Sequence, residues 1–171
     1  MANIITAEYF AKQPIQLTQV RTNAGIPAGV QNADTQKLND SIAIYEPLFL
    51  EHLLGKTLAA AYAAAPQSEL LKPLSDILYD STTKKSTIAK FIYFWYLNDF
   101  CMSYNGETFR QSKSDGSVNI SVVAKQVHIW SLMKEELVPA FAWLSENSAS
   151  LTDLDVTGWS KLLVNYNSAG L

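Results

Sequence analysis

Apolar positions recur along most of this chain at helical steps of three and four, and prolines and glycines divide them into discrete segments. Thr6 is placed to cap a short helix through about Gln13, which Pro14 stops. From Ile15 to Ala33 the periodicity disappears and Gly25, Pro27 and Gly29 fall close together, predicting an extended or looped connection. Asp34 then offers an N-cap to a long amphipathic helix in which Leu38, Ile42, Tyr45, Phe49 and Leu53 share one face. Pro47 lies inside that pattern and is expected to kink or split it near Glu46, because proline removes a backbone donor and crowds the preceding turn. Gly55 supplies a C-terminal stop.

The alanine-rich run KTLAAAYAAA predicts a short second helix closed by Pro66. Ser68 and Glu69 open a third, with Leu70, Leu71, Leu74, Ile77 and Leu78 at helical spacing and Pro73 in an early turn, ending in the polar stretch DSTTKKS. The fourth segment, TIAKFIYFWYLNDFCM, is apolar around most of its circumference, which only a helix surrounded by neighbours can satisfy. Residues 103–118 are polar and hold the Asp115-Gly116 turn pair, predicting a long loop or a marginal hairpin. A last strong helix starts at Asn119 or Ser121 and runs to about Asn147, with Val123, Val127, Trp130, Leu137, Phe141 and Leu144 on one face and a kink expected at Pro139. The tail, 148–171, carries Trp159, Leu162, Leu163 and Tyr166 with weak periodicity, as a short helix or a packing arm would. The expected architecture is an all-α, single-domain bundle of four to five principal helices. It divides into an N-terminal helix and extended segment (1–33), a helical core (34–147) and a C-terminal arm (148–171).

Composition narrows the functional classes. At 171 residues the chain holds one ordinary domain. Charged residues are 17%, below the roughly 25% usual for soluble domains, so either the core is large or apolar surface meets a partner. A net charge of −3 disfavours nucleic-acid binding through a broad basic field. The run from Ile88 to Met102 is too short and too polar, with Lys90, Asn98 and Asp99, to span a membrane. No secretory signal is visible at the N-terminus, so synthesis in the cytoplasm is the expectation.

Catalytic chemistry finds little purchase. His52, His128 and Cys101 are the only nitrogen and sulfur ligand candidates, and none forms a metal-binding spacing. The lone Cys101 excludes an intrachain disulfide and sits in an apolar run, where a thiol is usually a small core group. There is no GxSxG elbow and no phosphate-cradling glycine motif, and a hydrolase built on Cys101 and His128 is a minor alternative. Neither the Glu135-Glu136 pair nor Asp153 with Asp155 places two carboxylates on one helical face. A non-enzymatic protein without cofactor or metal is expected. The aromatic cluster of Phe91, Tyr93, Phe94, Trp95, Tyr96 and Phe100 suits plain core, with a ligand pocket in a helical binding or regulatory domain as the alternative.

The stretch YEPLFLEHLLGKTLAAAY (Tyr45 to Tyr62), the aromatic helix FIYFWYLNDF, the polar NGETFRQSKSDGS and the helix KQVHIWSLMKEEL together resemble small head-tail connector proteins of tailed bacteriophages, in the form found in phages and prophages of Bacteroidetes. The resemblance covers residues 34–147. It rests on element order: a helix ending in a Leu-Gly pair, here Leu54-Gly55, then a short helix, an aromatic helix, a loop with a glycine and threonine near its start, here Gly106 and Thr108, and a long amphipathic helix. The resemblance implies a structural virion protein at the neck, made in the host cytoplasm. It implies a homo-oligomeric ring, of about twelve subunits in that family, closed by heterologous contacts. Such a ring sits below the portal protein, extends the DNA channel without sequence-specific binding, and gives stopper or tail proteins a platform. Interface residues are then expected in the loop, at Glu107, Thr108, Phe109, Arg110, Lys113 and Asp115, and in the tail at Trp159 and Tyr166.

Overall fold

The computed structural model describes residues 3–17, 33–101 and 122–166. Helices dominate: α1 (Ala33–Leu54), α2 (Lys56–Ala64), α3 (Lys72–Leu78), α4 (Thr87–Cys101), α5 (Val122–Glu146) and the single turn α6 (Trp159–Leu162). Two 3-10 turns, Ala7–Phe10 and Ser148–Ser150, flank the set. Between α3 and α4 lies a small antiparallel hairpin of β1 (Tyr79–Asp80) and β2 (Lys85–Ser86).

The aromatic helix α4 is central, packed between α1 and α5 as its all-round apolarity predicts. Ile88, Ala89, Phe91, Ile92, Tyr93, Phe94, Tyr96 and Leu97 are all buried. Their rings fill one another's faces: Phe91 meets Phe49 of α1 at 5.3 Å between centroids, and Phe94 meets Trp130 of α5 at 4.6 Å. One buried cation interrupts this surface. Lys90, 6% exposed, donates to both carboxylate oxygens of Glu136 on α5 at 2.8 and 2.7 Å, and Thr87 donates to the same group at 3.1 Å. A charge taken out of water demands a partner, so this pair fixes how α4 and α5 meet.

α1 buries Leu38, Ile42, Phe49 and Leu53 as its spacing predicts, with Tyr45 half-buried and Leu50 and Leu54 added. The expected split at Pro47 does not occur, and α5 is likewise continuous through Pro139. The reason is placement. Pro47 and Pro139 are exposed, and so are Ala43 and Glu135, whose carbonyls lose their helical donors and face water instead. On α5 the buried stripe is Gln126, Ile129, Trp130, Met133, Leu137, Ala140 and Leu144, leaving Val123, Val127 and Phe141 half-buried.

The third helix starts later than its apolar spacing suggests. Ser68 forms a turn whose carbonyl accepts from Leu71 and Lys72, Leu70 is 49% exposed, and Pro73 sits in the first turn of α3, where its missing donor costs nothing. The hairpin was concealed in the polar stretch DSTTKKS. Asp80 accepts from the backbone N–H of Thr82 and Thr83 at 2.7 and 3.1 Å and from the Thr83 hydroxyl, and Lys84 takes φ 58° to close the turn. Ser86 then caps α4: its hydroxyl accepts from Ala89 N–H and donates to Leu78 O.

Both ends join this core. At the N-terminus the short helix contracts to the 3-10 turn after Thr6, and Ile5, Tyr9, Phe10 and Ile15 are buried. The 15–33 connection lies outside the described residues from 18 to 32. At the C-terminus Leu151 and Leu162 are buried.

Candidate functional site

The loop residues expected at an interface, Glu107, Thr108, Phe109, Arg110, Lys113 and Asp115, lie outside the described residues, as do the side chains of Phe100 and Cys101. The other two, Trp159 and Tyr166, belong to an arm that the structure seats on the chain's own helices. Its construction begins at the Leu54-Gly55 pair. A helix ends with carbonyls that no helical N–H reaches. Here the arm supplies donors: Asp155 N–H bonds Leu54 O at 3.1 Å, and Trp159 Nε1–H bonds Leu53 O at 2.7 Å.

Glycines make that approach feasible. Gly55 turns the chain with φ 78°, and a Cβ there would lie 2.5 Å from Asp155 Cβ. Gly158 presses on α1 so closely that a Cβ would come within 2.4 Å of His52 O. Further along, Trp130 Nε1–H of α5 bonds Val164 O at 2.7 Å, Lys134 Nζ donates to Asn165 Oδ1, and Tyr166 lies 5.0 Å from Phe94 and 4.8 Å from Trp130 between ring centroids. Trp159 also meets Phe141 at 4.7 Å. Both aromatic residues are half-buried, so each keeps a face toward solvent. Beside them Val156, Leu163 and Val164 are exposed.

His52, under this arm, is held below its ordinary pKa, chiefly because burial penalises the imidazolium and secondarily because Lys161 of α6 faces it, with Glu51 opposing. Its Nδ1 is buried with no hydrogen-bond partner. Among the described residues no group of three or more His, Cys, Asp and Glu side chains could hold a metal ion, and no helix is long and apolar enough to cross a membrane. A shallow cleft of about 310 Å³ lies at the hairpin, bounded by Asp76, Tyr79, Lys85, Thr87, Glu136 and Pro139. It is separate from the aromatic cluster.

Two further groups carry structure that the sequence reading overlooked. Glu46, 4% exposed, accepts the backbone N–H of Ile4 at 2.9 Å and of Ile5 at 2.8 Å, which ties the N-terminal segment to α1. Its signal was legible: a carboxylate four residues after Ile42, inside the apolar stripe, cannot avoid burial. Burial raises the Glu46 pKa, and the two amide donors partly offset this. Glu136, the partner of Lys90, carried no such signal, since nothing local links residues 46 positions apart. Comparison of the chain with protein-family models, with curated proteins and with solved structures finds no match.

Proposed function

We propose that this protein is a structural component of a phage particle, a head-tail connector that assembles as a ring below the portal and extends the DNA channel toward stopper or tail proteins. The observation that carries the reading is element order. A long helix closing on Leu54-Gly55, a short alanine-rich helix, a buried aromatic helix and a long amphipathic helix occur in the order that the resemblance implies, with α3 and the hairpin between the second and the third and with Gly106 and Thr108 outside the described residues. A C-terminal arm bearing half-exposed Trp159 and Tyr166, flanked by exposed Val156, Leu163 and Val164, supports it as apolar surface available to a neighbour. The rings that a ligand-pocket reading needs are instead packed against one another.

In this reading the chain acts by fitting surfaces together, with DNA passing a wall of low net charge to which phosphates bind weakly. The test is genetic. Particles assembled without this chain are expected to hold capsids that lack tails, and restoring the chain restores the neck. Normally tailed particles formed without it contradict the proposal.

A further inference from the structure

The C-terminal arm closes the end of α1 over a histidine that has no place for a second proton. The cover is tight: a Cβ on Gly158 would lie 2.4 Å from His52 O, Asp155 N–H bonds Leu54 O at 3.1 Å, and Trp159 Nε1–H bonds Leu53 O at 2.7 Å. The His52 ring stands nearly perpendicular to Phe91 of α4, 6.4 Å between centroids. Its Nδ1 is buried with no hydrogen-bond partner. A neutral imidazole tolerates this, because it carries one N–H and can leave Nδ1 as the bare nitrogen. An imidazolium has two N–H groups, and the one on Nδ1 is stranded while the arm is closed.

Charge adds to the mismatch. Among the described residues two charged groups face His52: Lys161 of α6, which disfavours a proton there, and Glu51 of α1 itself, which favours one with the smaller effect. The Asp155 carboxylate is turned to its own arm, where it accepts from Thr157 N–H at 2.9 Å. Burial is the larger cause, and with Lys161 it holds the imidazole below its ordinary pKa in the closed chain. The arm is also free to leave without the core. From 151 to 158 it has neither helix nor strand, α6 is one turn, and the two carbonyls it serves at the end of α1 can be served by water. The stripes of α1, α4 and α5 meet one another directly, so an arm held this way opens at lower free energy than the core.

We infer that the arm, residues 151–166, is an acid-released strap: a proton on His52 favours the conformation in which the arm has left the end of α1 while the helical core stays folded. This does not depend on the ring reading above. Linkage gives the sign. In the open chain a histidine titrates near its ordinary value of about 6.5. Lowering the pH through that value loads the open state first, and opening grows by at most about tenfold per pH unit for one proton.

Hydrogen exchange of the full chain, followed by mass spectrometry at pH 7.5, 6.5 and 5.5 and corrected for the intrinsic rate at each pH, reads arm and core separately. Protection of the arm peptides is expected to fall about three- to tenfold from pH 7.5 to 5.5, with that of α4 unchanged. His52→Asn and His52→Gln cannot take the proton and are expected to lose the pH dependence, at whatever level their arms are protected. Measuring both leaves an answer if one fails to fold. His128→Asn, at an exposed position on α5, is expected to keep it. Arm protection that does not change with pH overturns the inference. So does a fall that α4 shares, which is unfolding of the whole chain, and so does a fall that persists in the His52 variants.

Discussion

At the scale of single residues, the fold depends on a few groups whose neighbours leave no alternative. Glu46 answers two buried amides, so Glu46→Ala leaves both without a protein acceptor and is expected to cost about 1–3 kcal/mol, measured by denaturant unfolding. Gly158→Ala places a methyl against the His52 carbonyl, which must move. A loss of about 1–3 kcal/mol is expected, compared with near-neutrality for an alanine substitution at exposed Thr152. His52 gives a pH signature. Its imidazole is held below the ordinary value in the folded chain, so unfolding takes up a proton, and stability falls as pH is lowered through about 6.5. Thermal unfolding between pH 7.5 and 5.5 should show a smaller acid loss in His52→Asn than in the parent. An equal loss in both would remove His52 from the account.

At the scale of elements, legibility follows from how local the signal is. The helices α1 and α5 were written in steps of three and four, because each buries a stripe that its own spacing defines, whereas α2 was written in the helix propensity of its alanines and α4 in apolarity around most of its circumference. The hairpin was not, since two-residue strands have no period to detect and depend on the Asp80 side chain closing a turn over Thr82 and Thr83. Pro47 misled because the expected split ignores which face a proline occupies. On the exposed face the freed carbonyl can turn to water, and the buried face keeps the helix continuous. Trp159 and Tyr166 were legible as residues needing a surface, but the surface they meet here, the end of α1 and the flank of α5, lies over 30 positions away or more. The α4–α5 contact carries its own prediction. Glu136→Ala strands a buried ammonium and is expected to cost about 3 kcal/mol, whereas Lys90→Met fills similar space without a charge and costs less. Denaturation midpoints of the two variants and the double variant test this ordering, and equal losses would contradict it.

At the scale of the whole molecule, the N-terminal and C-terminal segments of the described chain meet the same helix, α1: residues 4 and 5 at Glu46 and the C-terminal arm at Leu53 and Leu54. The proposed function makes association the whole activity, so the most direct test is the mass of the native protein in solution, alone and mixed with the portal protein of the same genome. The account predicts a closed multiple of the 18.9 kDa chain once the portal is present. A single-chain mass under both conditions would contradict it.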